Sequence, residues 1–222
     1  MSLRPSKLTF RRIFKSCLSA IDKYETVLDF ACADAKHQVY FREKSYFGAD
    51  VNPAAIDANK LKFADQEKVK FFHSDLLDLS QEIVDFKFDL VVSTHTLSWL
   101  SDEKKILAIE NLVSLVEPGG SLLLQCAGNE VDLTPEPRKS FERMDIFPYR
   151  NFLTRWFESA ASWFFGTKHV GGIGITVHHP CSFLFLIPLR VLSLVFSFMD
   201  RYAGTDHHVV LFRGKKTNRT AK

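Results

Sequence analysis

No two cysteines stand at metal-ligand spacing. Cys17, Cys32, Cys126 and Cys181 are scattered over 222 residues, a chain large enough to bury a core without covalent staples. This excludes a zinc finger and a disulfide framework, and predicts reduced, buried thiols in a cytoplasmic protein. Charge of one sign is also scarce. The net charge is +3 and no Lys/Arg block is interleaved with aromatics, so no nucleic-acid platform is expected. Residues 1–20 lack the continuous apolar centre of a secretory signal. The most apolar run, residues 181–199, is broken by Pro188 and Arg190, and a central arginine costs roughly 2.5–3.5 kcal/mol in a membrane span. A packed helix is expected there. Peripheral membrane contact through 181–199 stays open, because Arg190 and Arg201 flank apolar faces. Glycine is sparse where nucleotide-binding turns need it: no Gly-x-Gly-x-x-Gly occurs, which counts against a dinucleotide dehydrogenase.

What is present is an ordinary globular composition, 46% hydrophobic and 25% charged, with 21 Phe that must pack or line an apolar site. The first twenty residues are basic, Ser-containing and free of acids until Asp22, as transit peptides are. They also read as an amphipathic helix, with Leu8, Ile13, Phe14, Cys17, Leu18 and Ile21 on one side, leading into the first strand.

The organising stretch is residues 24–52. The apolar run Val27-Leu28 ends in Asp29, followed by a turn of small residues, Ala31, Cys32, Ala33 and Ala35. A second run, Tyr46-Phe47-Gly48-Ala49, ends in Asp50. This predicts a strand–turn–helix–strand unit in which small residues admit a mononucleotide and a carboxylate at the second strand tip accepts the ribose hydroxyls. Further strands are expected at Val69–His73, Phe88–Thr94 and Ser121–Cys126. A Ser101-capped helix should run through Ile106, Leu107, Ile109, Leu112, Val113 and Val116 before Pro118-Gly119-Gly120. The last strand is expected at His207–Arg213.

In order, these elements resemble the class I S-adenosylmethionine-dependent methyltransferases. Val27, Leu28, Asp29 and Cys32 match their motif I, Val-Leu-Asp-x-Gly-Cys-Gly-x-Gly, and Asp50 matches the partner acid. Asp50-Val51-Asn52-Pro53 resembles their Asp-hydrophobic-Ser-Pro. Phe88-Asp89-Leu90-Val91-Val92-Ser93 resembles motif IV, and Val116-Glu117-Pro118-Gly119-Gly120 the turn before strand five. The matches cover residues 25–127. The resemblance implies a seven-stranded, mostly parallel α/β sheet with helices on both faces and an aromatic-rich insertion after strand five. It implies S-adenosylmethionine as cofactor, held by Asp29, Ala31, Cys32, Ala33, Asp50, Val51, Asp75, Leu76, Ser93 and Thr94. Asp75 and Leu76 would meet the adenine; alone, Asp75 reads as a turn or helix-cap acid.

One departure has a physical consequence. The three motif glycines are Ala31, Ala33 and Ala35, and alanine enters positive φ only at ~1–2 kcal/mol per residue. Either the turn stays in ordinary φ/ψ space, or cofactor affinity is reduced. The Asn-Pro-Pro-Tyr signature of many nucleic-acid amine methyltransferases is absent.

A single domain is expected over 1–222, with an N-terminal helix (1–25), a cofactor core (26–127), an acceptor or lid insertion (128–180) and a C-terminal helix and edge strand (181–222). Lys168 to Ile175 reads as a glycine loop or the start of a strand. No metal site is expected: His178-His179 and Asp206-His207-His208 are neighbours that would point to opposite faces of a strand. Transfer to a hydroxyl needs a base near neutral pKa. The candidates are His95, at the tip of strand four, and His178. The function expected is O-methylation of a small-molecule, glycan or lipid-like acceptor. The alternative is a methyltransferase-like binding or scaffold module that no longer catalyses.

Overall fold

A computed structural model describes residues 5–128, 130, 139–165, 167–170, 173–176, 186–200 and 205–214. The elements in chain order are α1 (Pro5–Ser19), β1 (Thr26–Phe30), β2 (Ser45–Asp50), α2 (Pro53–Lys62), β3 (Val69–His73), α3 (Gln81–Val84), β4 (Phe88–Ser93), α4 (Asp102–Ser114), β5 (Val116–Ala127) and β6 (Arg143–Asn151). Then come α5 (Phe152–Phe165), β7 (Thr167–Val170), β8 (Ile173–Thr176), α6 (Leu186–Met199) and β9 (Thr205–Arg213). Seven strands form one mostly parallel sheet in the order β3-β2-β1-β4-β5-β9-β6, with helices on both faces. β7 and β8 form a separate antiparallel pair. The chain divides into two compact units, Met1–Phe14 with Pro148–His207, and Lys15–Phe147 with His208–Lys222.

In the larger unit the central strands β1 and β4 are apolar and buried along almost their whole length, as parallel strands covered on both faces must be. One face packs Leu28, Phe30, Val91, Leu122 and Leu124 against Ile83 of α3 and Ala108, Ile109 and Leu112 of α4. On the other, Phe41 stacks on Tyr46, which meets Phe71 edge-on. The Asp89 carboxylate clamps the start of β1, accepting from the Glu25 and Thr26 amides, both at 2.9 Å, and from the Thr26 hydroxyl at 3.0 Å. Gly48 is required in β2. A β-carbon there would lie 2.6 Å from the Phe71 ring and 3.0 Å from Cys32 Sγ.

Strand five departs from expectation. It begins at Val116, not Ser121, because Val116 pairs with Phe88 before the register shifts between Phe88 and Leu90. Pro118 is accommodated at that irregularity, and Gly119 supplies the left-handed residue, φ 85°. Within the span expected as the acceptor or lid insertion, 128–180, residues Arg143–Asn151 form β6, whose Pro148 is tolerated because β6 is an edge strand.

In the smaller unit, Asn151 joins two helix ends. Its side chain caps α5 by accepting from the Thr154 amide (2.8 Å) and donates to the Met199 carbonyl at the end of α6 (2.6 Å). Its own amide donates to Asp200 Oδ1 (2.8 Å). Phe157 stacks on Phe196, holding α5 to α6. From α1, the Thr9 hydroxyl and the Arg12 guanidinium donate to the Ser197 carbonyl at 3.1 and 2.9 Å. Arg150, at φ 62°, lies 3.6 Å from the Glu158 carboxylate, which also accepts from Ser6.

Candidate cofactor site

β1, β2, β3 and β4 end side by side, with Asp29 opposite Gly48, Asp50 opposite His73 and Phe30 opposite Ser93. The turn after β1 settles the question raised by its alanines. Ala31, Ala33 and Ala35 all take positive φ, at 63°, 47° and 53°. The backbone therefore adopts the glycine-type path, and the surrounding hydrogen bonds fix it. The Cys32 amide donates to the Ala49 carbonyl (3.0 Å) and the Ala35 amide to the Cys32 carbonyl (2.8 Å). The Ala33 amide donates to Asp50 Oδ2 (2.9 Å), and Asn59 Nδ2 donates to the Ala33 carbonyl (2.7 Å).

Asp50 is held from both sides, because its Oδ1 accepts from the Asn52 amide at 2.9 Å. A carboxylate has about four lone-pair sites, so this arrangement aims the group while leaving acceptor capacity for two hydroxyls. Beneath the turn, the buried Asp29 Oδ2 accepts from Tyr46 Oη at 2.7 Å and lies 3.4 Å from His37 Nδ1. Burial, with the Asp29 charge next, pushes the Tyr46 phenol well above its ordinary pKa, so it stays a donor. Asp29 Oδ1 is buried with no partner among the described residues. Burial, then the charges of Asp29 and Asp50, raises the Cys32 thiol, which makes it packing and not a nucleophile.

The other expected site residues are placed as follows. Val51 is exposed, and its carbonyl lies 3.0 Å from His73 Nε2. Asp75 is exposed and its Oδ1 accepts from the Leu77 amide at 2.9 Å, a turn bond, while Leu76 is buried. Ser93 and Thr94 are buried at the end of β4, and the Ser93 hydroxyl donates to Thr96 Oγ1 at 3.2 Å. His95 follows, exposed and left-handed at φ 62°. His178 lies outside the described residues, as do His179 and Cys181. Sequence reasoning missed Asn59, His37 and Tyr46. Asn59 could have been flagged as a polar residue on the inward side of α2, whereas His37 and Tyr46 carry no signal linking them to Asp29. Among the described residues no group of three His, Cys, Asp or Glu could hold a metal ion.

Residues 28–122 match the family model described as a methyltransferase domain. Over this stretch the chain is similar to a methyltransferase domain, and its sheet is that of the class I methyltransferase fold. An acid-held turn with spare acceptors on Asp29 and Asp50 fits S-adenosylmethionine, the cofactor that the sequence resemblance implies. The methyltransferase fold also extends beyond the matched stretch. A TehB-like methyltransferase from Corynebacterium glutamicum superposes with a TM-score of 0.55 at 14% identity, covering 94% of this chain and 96% of that one. The N-methyltransferase NodS from Bradyrhizobium japonicum gives 0.51 at 16% identity, covering 94% and 97%. The [4+2]-cyclase SpnF gives 0.55 at 14% identity, covering 93% and 82%. No curated protein matches the chain in sequence.

Proposed function

We propose that this methyltransferase domain transfers the methyl group of S-adenosylmethionine to a hydroxyl of a small-molecule, glycan or lipid-like acceptor. The observation that carries the reading is the left-handed turn of Ala31, Ala33 and Ala35, tied to Asp50 through the Ala33 amide. In this reading Asp50 accepts the ribose hydroxyls, Val51 lines the adenosine, and Asp75 and Leu76 meet the adenine. Asp29, Ala31, Cys32 and Ala33 form the turn, with Ser93 and Thr94 beside it. The cofactor supplies a sulfonium methyl, so the protein has only to align the acceptor and remove its proton.

His95 is the proposed base. Its support is its position two residues past Ser93, where β4 ends. His178 is a second candidate from the insertion. Residues 128–180 are assigned to the acceptor lid on their aromatic content, and 26–127 to the cofactor core. A cytoplasmic location belongs to the same reading, supported by the free, buried thiols of Cys17, Cys32 and Cys126. So does peripheral membrane contact through 181–199, where α6 carries the chemistry.

The first test is calorimetric titration with S-adenosylmethionine and S-adenosylhomocysteine. Absence of binding at about millimolar ligand, the weak end of useful affinity, would turn the assignment to a non-catalytic scaffold. The second is the pH–rate profile of His95→Gln with a hydroxyl acceptor. Loss of the acid-side limb of the profile is expected, and unchanged turnover removes His95 from the mechanism.

A further inference from the structure

α6 turns the usual amphipathic pattern inside out. From residue 191 to residue 199 its inward side carries Ser193 and Ser197, 1% and 2% exposed, with Phe196 half-buried. Its outward side carries Val191, Leu192, Leu194, Val195, Phe198 and Met199, 43–66% exposed. At 3.6 residues per turn these six span a continuous arc of about 160°. A soluble surface helix shows the opposite arrangement, polar outward. The first turn of α5 shares part of it, burying Thr154 and exposing Phe152, Leu153 and Trp156, while Phe157 packs inward. Apolar area of this extent on an otherwise folded unit marks an interaction surface.

Charge decides between occupants. α6 contains no acid, and neither does α1, whose Lys7 and Arg11 are exposed beside Arg12. Arg12 lies on α6 itself, its guanidinium 4.7 Å above the Phe198 ring. The one acid of α5, Glu158, is engaged by Ser6 and Arg150. Asp200, at the end of α6, is fully buried. Exposed charge on these three helices is therefore basic, bordering an apolar arc. A second copy would set these bases against like charge; an anionic lipid headgroup layer matches them. No described helix is long and apolar enough to cross a membrane, so contact would be in the interface plane, apolar face down.

We propose that the outward face of α6, edged by the bases of α1, is a docking surface for anionic bilayers. This deepens the peripheral membrane contact proposed above and rests on that part of the reading, while vesicle binding is read independently of cofactor binding and methyl transfer. The test is co-sedimentation of the full chain with vesicles of equal parts phosphatidylglycerol and phosphatidylcholine, against vesicles of phosphatidylcholine alone. Binding to the anionic vesicles is expected, several-fold weaker on neutral ones and weakened at about 0.5 M salt. Val195→Asp with Phe198→Asp should reduce partition by about tenfold or more, since both side chains would otherwise enter the acyl boundary. Arg11→Glu, at an exposed position that leaves the fold intact, should weaken anionic binding alone. It keeps the proposal testable if the double variant does not fold. Failure of the folded wild-type chain to sediment with anionic vesicles overturns the proposal, and so does equal binding by Arg11→Glu. A concentration-dependent dimer, dissolved by the Asp substitutions and without vesicle binding, would assign the face to a second copy and also overturn it.

Discussion

Replacing Ala33 with glycine isolates what the left-handed turn costs. Ala33 sits at φ 47°, where an L-residue with a β-carbon is disfavoured by roughly 1–2 kcal/mol. Glycine removes that cost. It also loosens the unfolded chain, which takes back about 0.4–1 kcal/mol. The side chain is exposed, so no buried methyl is lost. The expected net effect is a stabilisation of about 0.5–1 kcal/mol, or a rise of about 1–4 °C in Tm for a chain of this size. Two companions fix the sign. Ala35 is also left-handed but buried, so Ala35→Gly forfeits a methyl worth about 0.8 kcal/mol and should come out near zero. Ala58 is exposed within α2, where glycine should cost about 0.8–1 kcal/mol. Thermal unfolding of the three variants gives the comparison. A drop for Ala33→Gly as large as that for Ala58→Gly would refute a left-handed residue 33. Calorimetry on the same variant reads the functional side: tighter S-adenosylmethionine binding would show that alanine compromises the cradle, while unchanged affinity would show that it suffices.

Asn59→Ala strips the part-buried Ala33 carbonyl of its 2.7 Å donor and should destabilise by about 0.5–1.5 kcal/mol. Cofactor affinity should fall with it, and a variant binding as tightly as wild type would detach Asn59 from the site. Gly48→Ala forces a methyl to within 2.6 Å of Phe71, an overpacking cost of about 1–3 kcal/mol that denaturant titration can measure. Phe71→Leu in the same chain should recover part of it, and no recovery would place the strain elsewhere. Partial burial pushes the Asp145 carboxyl up, but hydrogen bonds from Arg143 and Arg213 outweigh it and hold the pKa below its ordinary value. The resulting stability is present above pH about 4 and is lost as pH falls through the lowered folded value. Asp145→Asn should therefore lower Tm modestly at neutral pH, by less than about 1 kcal/mol equivalent, and the gap should close in acid. A gap constant with pH would contradict the ion pair.

Much of the parallel core was legible because its signals are local. Val27-Leu28-Asp29 and Phe88 through Ser93 are apolar runs stopped by polar residues, and the buried part of β5 from Ser121 follows a Pro-Gly-Gly break. The start of β5 was not legible, because pairing of Val116 with Phe88 is a tertiary event that overrides the breaker. Nor was the conformation of the alanines. Local preference puts them at negative φ, and the bonds of the turn with Ala49, Asp50 and Asn59, with its own Ala35–Cys32 bond, hold them otherwise. The network of Tyr46 and His37 on Asp29 joins residues from separate elements and leaves no mark in the order of the letters. α6 was legible as a helix but not in orientation: its apolar residues suggested a packed face, whereas the serines take the inward side.

The clasp at Asn151 gives the smaller unit a lever. One side chain holds the first turn of α5 and the last carbonyl of α6, and its backbone ends strand β6. α6 cannot tilt or slide along its axis without dragging that residue, and β6 ends on it. A load applied to the exposed side of α6 is thus delivered through Asn151 to the first turn of α5, in the manner of a crank on a pin.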